Sequence, residues 1–173
     1  AGTAVYAPLA GEVFTFSNNK GSQDYGPVII LEHTTDSGNV FYTLYGHLSL
    51  DSLEDLTVGM PVAKGQSFAR LGEPPTNGGW PPHLHFQIIL DLLGERGNFP
   101  GVARPAEWDI WTHICPDPNH ILGIPSSCFA PDGRSPADIL TVRHAKLGRN
   151  LSISYDKPLK IVRGQGQYLF TED

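Results

Sequence analysis

The run Pro27-Val28-Ile29-Ile30-Leu31-Glu32-His33 limits the fold more than any other stretch of this chain. It is short, apolar and rich in β-branched residues, which predicts a buried strand. Asp36-Ser37-Gly38-Asn39 turns the chain back, and Val40-Phe41-Tyr42-Thr43-Leu44-Tyr45 is expected to pair with the first run as a hairpin. Other short strands are expected around this hairpin: Val5 to Pro8, Gly11 to Phe16, Ser67 to Gly72, and the run that begins at His83. Ser17-Asn18-Asn19-Lys20-Gly21 reads as a turn cluster. Nineteen Gly and fifteen Pro supply the remaining punctuation and disfavour long helices. The expected fold is mainly β: an antiparallel β-sandwich or open barrel of short strands, with a short C-terminal helical and hairpin extension.

Three regions follow from the punctuation. Residues 1–97 form the β-domain, and residues 98–134 form an irregular Pro-rich extension packed on it. Residues 135–173 hold a linker helix and a terminal hairpin. Ser49 to Leu56 predicts a short helical turn, and Pro105 to Trp111 a short helix with Pro at its first position. Ser135-Pro136-Ala137-Asp138 is a stronger helix start, with Ser as N-cap, Pro at N1 and an acid at N3. That helix is expected to stop near Gly148. Leu159 to Gly164 and Gln167 to Phe170 read as a hairpin. The chain starts close to a strand and stops inside a strand-like pattern, so a piece of a longer protein is expected.

The formal net charge of -6 disfavours nucleic acid as a partner, since phosphate binding needs clustered Lys and Arg. No apolar run reaches the length of a membrane span, and no basic-then-apolar leader opens the chain. Cys115 and Cys128 form no C-x-x-C pair; a single disulfide and two separate thiols both remain open. There is no phosphate-binding Gly-rich loop and no Gly-x-Ser-x-Gly elbow.

The chemistry-bearing motif is Pro81-Pro82-His83-Leu84-His85-Phe86. On a strand, alternate side chains share a face, so His83 and His85 are expected on one side and Leu84 and Phe86 on the other. Paired imidazoles suit metal binding or acid–base work. One strand cannot supply the roughly three protein ligands of a catalytic zinc. His33 and His47 are the other histidines of the β region, and position alone does not separate them. His113, Cys115 and His120 lie among prolines in a spacing that matches no zinc pattern.

Taken together, four ordered motifs resemble the lysostaphin-like zinc endopeptidases, which cut glycine-containing cross-links of bacterial cell walls. They are Val5-Tyr6-Ala7-Pro8-Leu9-Ala10-Gly11-Glu12-Val13, Tyr45-Gly46-His47-Leu48, Val58-Gly59-Met60-Pro61-Val62-Ala63-Lys64-Gly65-Gln66 and Pro82-His83-Leu84-His85-Phe86. The resemblance covers residues 1 to about 90. It implies zinc as cofactor with His85 as a ligand, His47 and His83 as catalytic groups, and a peptide as substrate. His33 matches no functional position. The family's other two ligands come from a His-x-x-x-Asp motif ahead of the first strand pair, which this chain does not contain. The 173 residues are therefore expected to bind zinc weakly or not at all and to be inactive as they stand.

A second resemblance lies at the other end. Asn150-Leu151-Ser152-Ile153-Ser154-Tyr155-Asp156-Lys157-Pro158-Leu159 and Val162-Arg163-Gly164-Gln165-Gly166-Gln167-Tyr168-Leu169-Phe170 look like the opening of class III pyridoxal-phosphate aminotransferases. This implies a parent protein in which an aminotransferase domain, with its pyridoxal phosphate, follows Asp173, and it implies the cytoplasm. The alternative function is then a non-catalytic docking or spacer module of that fusion protein. The Ala-Pro-x-x-Gly turn also resembles biotinyl and lipoyl carrier domains, but Lys20 and Lys64 lack the hairpin-tip setting of a carrier lysine.

Overall fold

A computed structural model describes residues 1–129, 135–147, 160–164 and 167–171. The chain divides into two compact units, Ala1–Ile124 and Pro125–Asp173. The first unit contains strands β1 (Ala4–Tyr6), β2 (Gly11–Asn19), β3 (Gly26–Thr34), β4 (Val40–Gly46), β5 (Pro61–Val62), β6 (Ser67–Arg70) and β7 (His85–Ile89). After these come helices α1 (Trp108–Ile114) and α2 (Asn119–Leu122). All strand pairs are antiparallel. The order β5-β2-β3-β4-β7 makes a five-stranded sheet, and β1 pairs with β6 in a separate two-stranded sheet. Among the described residues the sheets are open, with no closed barrel, so the mainly β expectation holds.

The apolar run of β3 explains the layering. Successive side chains point to opposite faces. Ile29 and Leu31 enter one core with Val5, Val13, Tyr45, Leu48 and Ala69, beneath the β1–β6 pair. Val28 and Ile30 enter a second core with Leu44, Ile89, Leu92 and Phe99. Val28, Ile29, Ile30 and Leu31 are all fully buried. Each such side chain contributes about 1.5–3 kcal/mol by leaving water. The strand has no polar face because both faces of the sheet are covered. The second cover comes from beyond the strands: Phe99, Trp111, Ile114 and Cys115 pack there.

Several local expectations are corrected. Ser17, Asn18 and Asn19 continue β2 and pair with Val28, Pro27 and Gly26 instead of turning. The Ser17 hydroxyl and the Asn19 amide both donate to the Gly97 carbonyl, so tertiary partners hold these turn-prone residues extended. The turn of Ser49 to Leu56 narrows to a 3-10 turn at Leu50–Leu53. In the 105–111 region Pro105–Glu107 is 3-10, and α1 begins at Trp108 and runs on to Ile114. His83 lies ahead of β7 and not on it. Gly46 pairs with His85 as the last rung of β4 and β7, and the prolines before His83 carry no ladder donor. The two histidines therefore do not share a strand face.

In the second unit, helix α3 (Pro136–Leu147) starts where the capping signal places it. The Asp138 carboxylate accepts from the Ser135 backbone N–H at 3.0 Å and from its hydroxyl, while the Asp138 N–H donates back to Ser135 Oγ at 3.2 Å. Strands β8 (Lys160–Gly164) and β9 (Gln167–Thr171) pair antiparallel from Lys160–Thr171 to Gly164–Gln167, as expected for a hairpin. Gly148 and the aminotransferase-like stretch 150–159 lie outside the described residues.

Candidate functional site

The site begins at the end of β4. Gly46 sits against the Tyr25 ring, where a Cβ would come within 2.5 Å of Tyr25 Cδ1. Only Gly permits that approach. His47 follows with φ of 62°, left-handed and uncommon for a side chain this bulky. Its backbone is clamped on both sides: the N–H donates to Tyr25 O at 2.9 Å, and the carbonyl accepts from Gly72 N–H at 2.9 Å. The imidazole is buried, and Nδ1 lies 2.9 Å from the Asn77 carbonyl. A carbonyl only accepts, so Nδ1 carries the proton and Nε2 keeps its lone pair.

The loop between β6 and β7 brings the partners. Asn77 is fully buried and donates its amide to Trp80 O at 2.7 Å, tying the loop to itself. His83 is exposed, with Nδ1 2.7 Å from the Pro81 carbonyl. His85 opens β7, half-buried, with Nε2 2.8 Å from Gln87 Oε1. Ring centroids of His47 lie 4.5 Å from His83 and 6.0 Å from His85. His47 thus neighbours both histidines of the motif. Tyr25 closes the far side, with its ring 5.0 Å from that of His85 and nearly perpendicular to it.

An open cleft of about 520 Å³ runs along this group, lined by Asp24, Tyr25, His47, Trp80, His85 and Gly101 among others. Burial holds His47 below the usual histidine range; the Asn77 carbonyl opposes this and the nearby His83 and His85 add to it. Burial likewise lowers His85, opposed by its bond to Gln87, with His83 adding a smaller push. Burial raises the Tyr25 hydroxyl well above its ordinary value, with Asp24 adding to the effect. At neutral pH the cleft therefore presents neutral imidazoles and a protonated phenol.

His33 is placed elsewhere. It is buried, with Nδ1 2.8 Å from the Ala10 carbonyl and Nε2 2.7 Å from Thr43 Oγ1, and it stacks on Phe41 at 5.0 Å. Both ring nitrogens serve the sheet. His113 and His120 are exposed on α1 and α2. Cys115 and Cys128 are both free thiols, one half-buried and one exposed.

Tyr25, Gln87, Asn77 and the segment 97–101 belong to the site without matching any sequence motif. Gln87 carried a signal: it is a polar side chain two residues beyond His85, in a run otherwise made of Phe and Ile. At a spacing of two it shares the face of His85.

The fit of these residues to a catalytic zinc is poor. Such a site takes about three protein ligands and leaves one position for water. Each imidazole here has one nitrogen bonded to Asn77, Pro81 or Gln87 and keeps the other bare, as a metal ligand does, so what is missing is the number of ligand groups. Among the described residues, no group of three His, Cys, Asp or Glu side chains is placed to hold a metal. Nor is any described helix long and apolar enough to cross a membrane.

Comparison with known proteins covers the same region. No curated protein matches the chain. The model of peptidase family M23 matches residues 1–95, which take in both cores' strands, His47, His83 and His85. That match spans more than half of the 173 residues, and the chain belongs to peptidase family M23.

Proposed function

We propose that the domain is a peptidase-like, peptide-binding module that carries part of a zinc-peptidase site. The observation behind this reading is that His47 and His85 line one open cleft, with His83 packed beside His47, within an M23-family domain. His85 takes the role of a metal-ligand position. His47, with its bare Nε2, and His83 take the acid–base and charge-stabilising roles. The substrate is a peptide laid along the cleft. The described residues lack an identifiable metal-binding cluster, so residues 1–173 alone are proposed to bind peptide without hydrolysing it.

The test is a titration of the ¹⁵N-labelled chain with a short glycine-rich peptide. Shifts at His47, His83 and His85 are expected, with no cleavage when zinc is added. A chain that also carries a His-x-x-x-Asp segment ahead of Ala1 is expected to hold about one zinc and lose it on His85→Ala. Failure of the extended chain to take up zinc refutes the assignment.

A second reading draws on the C-terminal sequence. The resemblance of residues 150–170 to class III aminotransferases supports a docking or spacer module for a cytoplasmic pyridoxal-phosphate enzyme. On this reading, His83→Ala and His85→Ala leave transaminase activity of such a parent unchanged. Loss of a metal-dependent hydrolysis in those variants would count against it.

A further inference from the structure

Just past the end of the family match, residues 97–101 run beside the cleft and turn two carbonyls toward it. The Phe99 carbonyl accepts from the Tyr25 hydroxyl at 2.9 Å, and the Pro100 carbonyl accepts from Gln87 Nε2 at 3.1 Å. The segment is pinned at both ends. Phe99 is 2% exposed, with its ring 6.0 Å from Trp111. Upstream, Gly97 O accepts from Ser17 Oγ and, at 3.0 Å, from Asn19 Nδ2. At Gly101 a Cβ would overlap the Tyr25 hydroxyl and stand 3.0 Å from His85 Cε1. This is a fixed wall against the His85 ring.

The wall decides which way the Gln87 amide points. A carbonyl oxygen only accepts, so the Gln87 NH₂ must face Pro100 and its Oε1 must face the other way. There Oε1 lies 2.8 Å from His85 Nε2 and 3.0 Å from the Tyr25 hydroxyl. An amide oxygen donates nothing, so both neighbours must donate to it. The Tyr25 proton is shared between Oε1 and the Phe99 carbonyl. His85 is left with its proton on Nε2 and a lone pair on Nδ1.

We propose that Gln87, oriented by the Pro100 carbonyl, is a positioning residue that fixes the tautomer of His85, so that Nδ1 is the nitrogen His85 offers to a ligand. The functional value of this rests on the reading of His85 as a site residue. The proton position does not, and it is measurable without metal or substrate.

Long-range ¹H–¹⁵N correlation on the ¹⁵N-labelled chain at about pH 7.5, where histidines are largely neutral, reads the tautomer directly. In the unaltered chain His85 is expected to show a protonated Nε2 and a bare Nδ1. In Gln87→Met the two nitrogen resonances are expected to move toward each other as the tautomers mix. A proton on Nδ1 in the unaltered chain, or an unchanged pattern in Gln87→Met, overturns the proposal. The unaltered chain alone decides it if the Met variant does not fold. A protonated Nε2 in a chain that binds no peptide would defeat the functional reading and leave this one standing.

Discussion

The imidazoles of His47 and His83 stand with ring centroids 4.5 Å apart, one from the end of β4 and the other from the loop ahead of β7. Two imidazolium ions at that separation repel, and His47 and His85 are also poorly hydrated. His33, His47 and His85 all have lowered proton affinity, with burial the first cause in each. The unfolded chain therefore takes up protons at higher pH than the folded one. Stability is fully present above the unfolded histidine value of about 6.5 and is lost as pH falls through it toward the folded values. The urea midpoint is expected to be level above about pH 7 and to fall as the pH drops below about 6.5. A midpoint that does not change across that range refutes this account.

How far the sequence reached depends on where each residue finds its partners. β3 and β4 were legible because their own apolar content demands burial. The end of β2 was not, because Ser17 and Asn19 are held extended by a carbonyl at Gly97, far along the chain. His83 and His85 were legible as a pair. Their geometry was not, since the last rung of the ladder is set by Gly46 on β4. Position alone left His33 and His47 level; the family resemblance favoured His47, and the bonds of His33 to Ala10 and Thr43 give the physical reason. The wall at 97–101 fell at the start of the irregular Pro-rich extension and drew no notice, because its Gly, Asn and Pro are turn residues and its contacts run through main-chain carbonyls.

Tyr25→Phe removes the hydroxyl that serves both Phe99 O and Gln87 Oε1. The Phe99 carbonyl is buried and would lose this donor. The expected loss is about 1–3 kcal/mol, the usual cost of a buried polar group left unpaired. The change is read as a lower midpoint in urea with an unchanged slope. A variant as stable as the parent would mean that the wall is held by Phe99 packing alone.

The two thiols should differ in reactivity. Cys128 is exposed, whereas Cys115 is half-buried and burial raises its thiol above the ordinary value. The thiolate is the reactive form, so Cys115 is disfavoured by both access and charge. Titration with a disulfide reagent at about pH 8 is expected to show a fast phase and a slow one. Denaturant should merge them. A fast phase that accounts for both thiols in the native chain would contradict the packing of Cys115 in the second core.

Gly46→Ala tests whether the cluster depends on the approach of Tyr25 to β4. The added Cβ would meet Tyr25 Cδ1 at 2.5 Å and His85 Cβ at 3.4 Å. Gly46 shows no left-handed φ, so the cost is overpacking and not backbone strain. Overpacking of this kind costs about 1–3 kcal/mol, and the Tyr25 ring must move to relieve it. Gly38→Ala is the matched control. It sits at φ of 83° in a turn with nothing within 4 Å, so it bears strain without any collision. Both variants are expected to lose stability in urea. Only Gly46→Ala should also shift the ring resonances of Tyr25, His47 and His85, because only there does the new methyl group press on the site. Equal shifts in both variants, or none in Gly46→Ala, would show that the cluster does not rely on that contact.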